Sequence, residues 1–372
     1  MTEKEAYLAF NLTEGIGSVK VAELVAKAGS AVRAWQDYPN KISRGGGEVD
    51  WQAELDRAKS FGVRLVTPVD ADYPPQLLAA PGHPLCLYVK GDAAVLSKPS
   101  VALVGTRRAT AYGLDLAENF AHDLAKAGWV VLSGLALGID AAAHRGALAA
   151  EGLTVGVIGS GLDEFYPEQN RELAREIVRH GGAVVSEFPF GRKPDQQTFP
   201  IRNHVVAALA RGVVAVEAPV KSGTLITAGI AADLGRTVMA VPARIDNRMS
   251  AGCLKLIRDG ARLVRNADDV MEELSDLLPR TAMPAVRQAP SASPAAPSAT
   301  SPVPSPALPE VTLEESLILR NLDEEGVSME RLLRLTGLPP LKVNSLCMTL
   351  RIKGRLKYLP GNRVALAVRE RA

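Results

Sequence analysis

The residues of this chain whose types and spacing could do chemistry lie in loops that follow short apolar runs. Val101–Val104 is followed by Gly105, Thr106, Arg107 and Arg108. Val130–Leu132 leads into Ser133 and Gly134, and then into Gly138, Asp140 and His144. Val213–Val216 is followed by Glu217 and then by Lys221, Ser222, Gly223 and Thr224. An apolar strand that enters a small-residue loop and then a helix is how α/β proteins hold anions, because free backbone N–H groups, hydroxyls and a cation converge there. Phosphate is the guest this chemistry implies.

A fourth loop, from Ser186 to His204, is too long for a simple crossover and brings Arg192, Lys193 and Arg202 together with Phe190 and Phe199. Cations interleaved with aromatic rings suit a single nucleic-acid strand, in which charges follow the backbone while a base stacks on a ring. The same two rings could instead be lid packing. The compact acidic loop from Gly159 to Pro167 is expected to be structural.

Several enzyme readings fit these residues poorly. A dinucleotide site needs Gly-x-Gly-x-x-Gly, and here Arg107 and Thr110 stand where the second and third glycines belong, so NAD is disfavoured. Arg107 could alternatively form a structural ion pair with Asp140 or Glu217. Lys221–Thr224 resembles half a P-loop without its leading glycine or an evident magnesium aspartate, which disfavours ATP hydrolysis. Asp140 and His144 share a helical face and could form a general-base pair. No Ser or Cys nucleophile is tied to them, and a capping aspartate with a packed histidine is the commoner arrangement.

The elements that must position these loops are legible as alternation. Strands are expected near 101–104, 129–132, 153–158, 183–186, 213–216, 237–241 and 261–264, with helical patterns between. This is a doubly wound, mostly parallel, Rossmann-like α/β sheet, whose ligands belong beyond the carboxyl ends of the strands. Residues 1–65 read as a small all-α module in which Leu12–Lys20 resembles a helix-hairpin-helix. The large domain covers 66–280, and a Pro/Ala/Ser-rich segment over 281–310 is expected to be a disordered tether. Residues 311–372 read as a winged helix whose third helix, 341–353, carries Lys342, Asn344, Arg351 and Lys353, either for a DNA major groove or as a solvated face.

Over 372 residues the net charge is +2, which neither demands nor excludes nucleic acid; a local basic groove would decide. Cys86, Cys253 and Cys347 are far apart and lack a Cys-x-x-Cys pair, so neither a disulfide framework nor a zinc site is expected. A charged start and the lack of any run near ~20 apolar residues suggest a soluble cytoplasmic protein without membrane insertion.

Taken together, these motifs resemble the bacterial DNA-processing protein A (DprA, Smf) family. The resemblance rests on Val104–Arg107, Ser133–Asp140 with His144, Gly161–Asp163 with Tyr166 and Pro167, and Ser186 with Glu187. It continues through Phe199–Asn203, Glu217 with Ala218, Lys221–Ala228, and Gly252 with Cys253. It implies a single-stranded-DNA-binding recombination mediator without cofactor, metal or catalytic residues. Such a protein would form a homodimer, protect incoming DNA and help load the RecA recombinase in natural transformation. Gly105, Thr106 and Arg107 would meet one phosphate, Lys221, Ser222, Gly223 and Thr224 another, and Phe199 a base. Ser133, Gly134, Lys193, Arg202 and Asn203 would complete the site. His204, where a basic residue often follows Arg-Asn, and Ala243, where the family has glycine, depart from the pattern. The alternative is a nucleotide-processing hydrolase of a related Rossmann-like family. The Pro-Gly-Gly-x-Gly-Thr-x-x-Glu pattern of those enzymes is missing around Lys221–Thr224. A third reading is a duplex-specific regulator acting through residues 313–368.

Overall fold

The computed structural model describes residues 1–44 and 46–275 and, further on, 313–322, 327–338, 342–343, 346–347, 350, 355–359 and 363–366. The chain divides into two compact units, Met1–Val286 and Arg287–Ala372.

The first unit begins with four helices, α1 (Glu3–Leu12), α2 (Ser18–Ala28), α3 (Ala31–Asp37) and α4 (Trp51–Phe61). Thr2 starts α1 through a reciprocal capping box with Glu5. Phe10 forms the centre of this small core, with Trp35 and Tyr38 edge-on at 5.1 and 5.7 Å. The α1–α2 connection is the short hairpin expected at Leu12–Lys20, and its only lysine, Lys20, pairs with Glu23 at 2.8 Å.

Strands and helices then alternate: β1 (Arg64–Val66), α5 (Pro75–Leu78), β2 (Leu87–Gly91), β3 (Ser100–Val104), α6 (Ala111–Lys126), β4 (Val130–Ser133), α7 (Ile139–Ala149), β5 (Thr154–Val157) and α8 (Arg171–Arg179). They continue with β6 (Ala183–Ser186), α9 (Thr198–Leu209), β7 (Gly212–Ala215), α10 (Gly223–Asp233), β8 (Thr237–Ala240), α11 (Ala251–Arg258), β9 (Arg262–Leu263) and α12 (Ala267–Leu274). One sheet holds all nine strands in the order β1-β2-β6-β5-β4-β3-β7-β8-β9, parallel from β6 to β9. Helices cover both faces, so β3 to β7 are buried along their whole length and are built almost entirely of Val, Ala, Leu and Gly.

The stretch from Asp70 to Gly91, which carries Pro74, Pro75, Pro81 and Pro84, contributes β2, and β1 and β2 extend the sheet as an antiparallel edge. Arg64 and Leu65, assigned to the helical module by sequence, pair with Val89 and Tyr88 and belong to the sheet. Glu54 of α4 ties the helices to that edge: its Oε1 accepts from the Tyr88 hydroxyl at 2.8 Å and from the Phe190 N–H at 2.9 Å. Phe190 stacks on Phe61 at 5.1 Å and meets Tyr88 edge-on, so this ring is packing and not a platform for a base.

From β3 the chain winds outward to β6 and then returns to lay β7 on the other side of β3. This reversal leaves a crevice beyond the carboxyl ends of β3, β4 and β7.

The second unit contains α13 (Leu313–Arg320), β10 (Val327–Ser328), α14 (Met329–Thr336), β11 (Leu356–Leu359) and β12 (Arg363–Leu366), with an antiparallel sheet ordered β10-β12-β11. Helical Val343, Cys347 and Leu350 join Ile318, Leu332, Leu356 and Val364 in its core. Asn344, Arg351, Lys353 and the segment 281–310 lie outside the described residues. No helix among the described residues is long and apolar enough to cross a membrane.

His144 belongs to the core of the α/β body. The Thr154 hydroxyl donates to the Val131 carbonyl at 2.7 Å, so it can only accept from His144 Nδ1 at 2.7 Å, and Nδ1 is the nitrogen that carries the proton of the neutral ring. Burial, with the nearby Arg202 and Arg145 charges, pushes its pKa down to about 3. Between pH 6.5 and 3 the unfolded chain therefore binds a proton that the folded chain refuses, and stability falls as the pH falls. Urea unfolding at pH 7 and pH 5.5 should show the wild type losing up to about 1.4 kcal/mol more per pH unit than His144→Gln. Equal slopes would contradict this account.

Candidate nucleic-acid interface

The crevice at the β3/β7 reversal encloses about 340 Å³. Its first wall is the loop after β3. The Thr106 N–H donates to the Glu217 carbonyl at 2.7 Å, and the Glu217 carboxylate accepts from the Thr110 N–H at 2.8 Å and hydroxyl at 3.0 Å. The loop is thus stapled to the end of β7. Gly138, at φ +79°, crosses so close beneath it that a Cβ would lie 2.3 Å from the Thr106 oxygen. With its backbone pinned, the loop projects Arg107 and Arg108 into the crevice.

The second wall is α9, on which Phe199 and Arg202 stand three residues apart and share a face. The Arg107 guanidinium lies over the Phe199 ring, 4.7 Å from its centroid, which is cation–π geometry. Neither Asp140 nor Glu217 pairs with Arg107, so the structural ion pair that the sequence left open is not formed. Arg202 is buried and donates to the carbonyls of Gly134 and, at 2.7 Å, of Val157, tying together the ends of β4 and β5. Burial lowers its pKa, and Asp140 opposes that shift. The Asp140 carboxylate accepts from the N–H groups of Gly134 and Ala136 at 3.1 and 3.4 Å, and burial raises its pKa. Asp140 and His144 are each committed to other partners and do not form the dyad considered from sequence.

The third wall is the start of α10. Ser222 is its N-cap residue but its side chain caps nothing, and its Oγ is buried without a partner among the described residues. That hydroxyl, the first-turn N–H groups of α10 and exposed Lys221 line the crevice opposite Arg107. Neither Arg107 nor Lys221 enters an ion pair among the described residues. Three cations at the mouth, one beneath and a single committed carboxylate give the crevice a positive balance among its described lining residues, a field that favours anions.

The structure gathers Gly105, Thr106, Arg107, Gly134, Phe199, Arg202, Asn203, Lys221, Ser222, Gly223 and Thr224 along this crevice. It leaves two expected residues out. The Ser133 hydroxyl is buried and donates to the Leu103 carbonyl at 2.6 Å, so it holds the sheet together; Lys193 is exposed and lies away from the crevice walls. Sequence reasoning missed Tyr166. Its ring is 6.4 Å from Phe199 and half exposed, in a smaller recess shared with Gly159 and Leu137. The loop expected to be only structural therefore carries an aromatic to the site. An aromatic before a proline, in a loop of a chain poor in aromatics, was the available signal. No group of acids, histidines or cysteines among the described residues could hold a metal.

Gly134 faces Arg202 so closely that a Cβ would lie 2.0 Å from its Nη1. Gly134→Ala should cost about 1–3 kcal/mol in urea unfolding by displacing the guanidinium; a neutral result would show that Arg202 has room to move.

Comparison with known proteins agrees with this geometry. The family described as DNA recombination-mediator protein A matches residues 64–275, and the DprA winged helix domain matches residues 290–362. Protein Smf of Escherichia coli is 35% identical over 300 residues, which is 80% of this chain and 76% of that one. The DNA processing protein DprA of Bacillus subtilis is 38% identical over 216 residues, covering 58% and 72%. The X-ray structure of Streptococcus pneumoniae DprA superposes with a TM-score of 0.61 at 32% identity, over 73% of this chain and 98% of that one. Helicobacter pylori DNA processing protein A, solved for its single-stranded DNA binding mode, gives 0.52 at 31% identity, over 57% and 96%. With a family match over more than half its length and relatives of this identity, the chain is a member of the DNA recombination-mediator protein A (DprA, Smf) family.

Proposed function

We propose that this chain binds single-stranded DNA in the crevice between β3, α9 and α10 and acts there as a recombination mediator, not an enzyme. The observation that carries the proposal is the convergence, in one cleft, of two phosphate-competent loops with a cation-covered aromatic ring. The 105–108 loop takes one phosphate through Arg107, and the start of α10 takes another through Lys221, the Ser222 hydroxyl and free N–H groups. A base that reaches the Phe199 ring displaces the Arg107 guanidinium, which then turns to phosphate. The exchange gives up a cation–π interaction of ~0.5–1 kcal/mol and gains base stacking of ~1–3 kcal/mol. A duplex keeps its bases stacked inside and offers none to the ring, so the site prefers single strands.

The finer reading follows the family: a homodimer in the cytoplasm that protects incoming single strands and helps load RecA during natural transformation. The family's description as a recombination mediator supports it. The hydrolase alternative is disfavoured by Asp140 and His144, which are both committed to structural partners.

Fluorescence anisotropy of labelled oligo-dT across a salt series is the test. The wild type should prefer single strands over duplex competitor. Arg107→Ala and Lys221→Ala should each weaken binding and lower the salt slope by about 0.7 for every phosphate that the truncated side chain leaves unneutralised. Phe199→Ala should weaken binding about 5- to 100-fold with the slope unchanged. Binding indifferent to all three, or release of free base from a nucleotide, would overturn the proposal. Light scattering and RecA filament assembly on coated single strands test the dimer and the loading role.

A further inference from the structure

The recess beside the crevice, which Arg107, Leu137, Tyr166 and Phe199 line, is built by segments distant in sequence. Asn170 closes the turn Glu168–Asn170 that follows Tyr166 and Pro167. It is buried, and its Nδ2 donates to the carbonyls of Leu135 and Ala136 at 2.8 and 3.0 Å. These bonds hold Leu135 at φ +51°, a left-handed conformation that leucine rarely adopts, and Leu137 emerges beyond it partly exposed. On its other side the Tyr166 loop is moored by Asp163, whose carboxylate accepts from the Gly191 N–H at 2.9 Å and pairs with Arg57 at 2.8 Å. Phe165 packs on the core beneath the Arg171 guanidinium, while its neighbour Tyr166 remains 47% exposed. The loop is fixed at both ends and presents an aromatic ring to solvent.

How that ring stands to Phe199 limits what the pair can hold. The centroids are 6.4 Å apart and the planes are inclined at 53°. The recess has a volume of about 20 Å³, room for a water and not for a base, so the rings do not clamp one base between them. They offer two separate platforms. Neighbouring bases of a stacked strand are parallel and ~3.4 Å apart. Two adjacent bases, one on each ring, must therefore part to nearly twice that spacing and tilt away from each other. Arg107 lines both the crevice and the recess, and so stands between the two platforms.

We propose that Tyr166 is a second base platform and that, paired with Phe199, it makes the site select strands whose neighbouring bases part easily, pyrimidine runs over purine runs. The inference rests on the crevice binding single strands, and it adds what kind of strand. Phe199 takes one base, Tyr166 with Leu137 beside it takes the next, and Arg107 meets the phosphate that joins them. Opening the step between the two bases gives up their mutual stacking. Runs of adenine stack strongly and lose much by it, whereas thymine runs stack weakly and lose little. Preferences of this origin need no hydrogen bond to a base edge, because stacking strength and backbone flexibility supply the discrimination.

The test compares labelled oligo-dT and oligo-dA of equal length, at one salt concentration, binding to the full chain as wild type, Tyr166→Phe and Tyr166→Leu. Leucine keeps the apolar packing and removes the flat face. The wild type should favour oligo-dT. Tyr166→Leu should weaken oligo-dT binding about 5- to 100-fold and oligo-dA binding less, narrowing the preference at least threefold, while Tyr166→Phe keeps both affinities. A damaged fold would weaken both strands alike. As a second readout, an adjacent pair of 2-aminopurines is moved stepwise along oligo-dT. In one register its exciton circular dichroism should collapse on the wild type and persist on Tyr166→Leu. Equal affinity of the wild type for both strands, equal losses in Tyr166→Leu, or a Tyr166→Phe chain as impaired as Tyr166→Leu overturns the inference. Loss of binding in Arg107→Ala and Phe199→Ala with Tyr166→Leu unaffected overturns it alone; indifference to all of these substitutions overturns the reading of the crevice as well.

Discussion

The buried guanidinium of Arg202 is the contact on which the candidate site depends. It replaces water at the carbonyl ends of β4 and β5, donating to Gly134 and Val157 from a helix that belongs to neither strand. A buried cation is tolerable only where hydrogen bonds and nearby negative charge answer it. Here two carbonyls and the Asp140 carboxylate do so, and Asp140 in turn holds the Gly134–Ala136 loop. Because Phe199 stands three residues earlier on the same helix, anchoring Arg202 also sets where the aromatic ring meets Arg107.

Around that anchor the site is assembled from loops that share no sequence neighbourhood. Glu217, at the end of β7, fixes the 105–110 loop, and Gly138, at the start of α7, lets that loop pass close by. Arg107 therefore sits on a pinned loop while its side chain keeps no ion pair among the described residues. Ser222 at the start of α10 likewise has a buried hydroxyl with nothing to bond among the described residues. Unsatisfied groups of this kind cost stability in the free protein, and they concentrate where a ligand is to supply the missing partner.

Much of the architecture was legible in the chain. Runs such as Val101–Val104 and Val213–Val216 are apolar on both faces and short, which only a covered parallel sheet explains, and seven strands fall within a residue or two of their expected places. The antiparallel edge was less visible. Leu87, Tyr88 and Val89 follow Pro81 and Pro84 and lack the helix-strand rhythm, and β1 is only three residues long. Their pairing comes from α4 packing across them through Glu54, a contact between distant segments that no local pattern announces.

The division between the two kinds of information is sharpest among the cations and hydroxyls. Local spacing alone suggested Gly105–Arg107 and Lys221–Thr224 as loops with phosphate chemistry, because a helix start next to a small-residue turn exposes N–H groups wherever it occurs. Which side chains face the cleft was settled by packing. Ser133 and Ser222 read alike in sequence, yet one hydroxyl is turned into the sheet toward Leu103 and the other toward the crevice. Lys193 and Arg202 likewise carry the same charge, yet one is out in solvent and the other is built into the crevice floor. Spacing along the chain specifies the backbone's hydrogen-bonding potential; the partner that consumes it comes from another element, and only the folded sheet brings the two together.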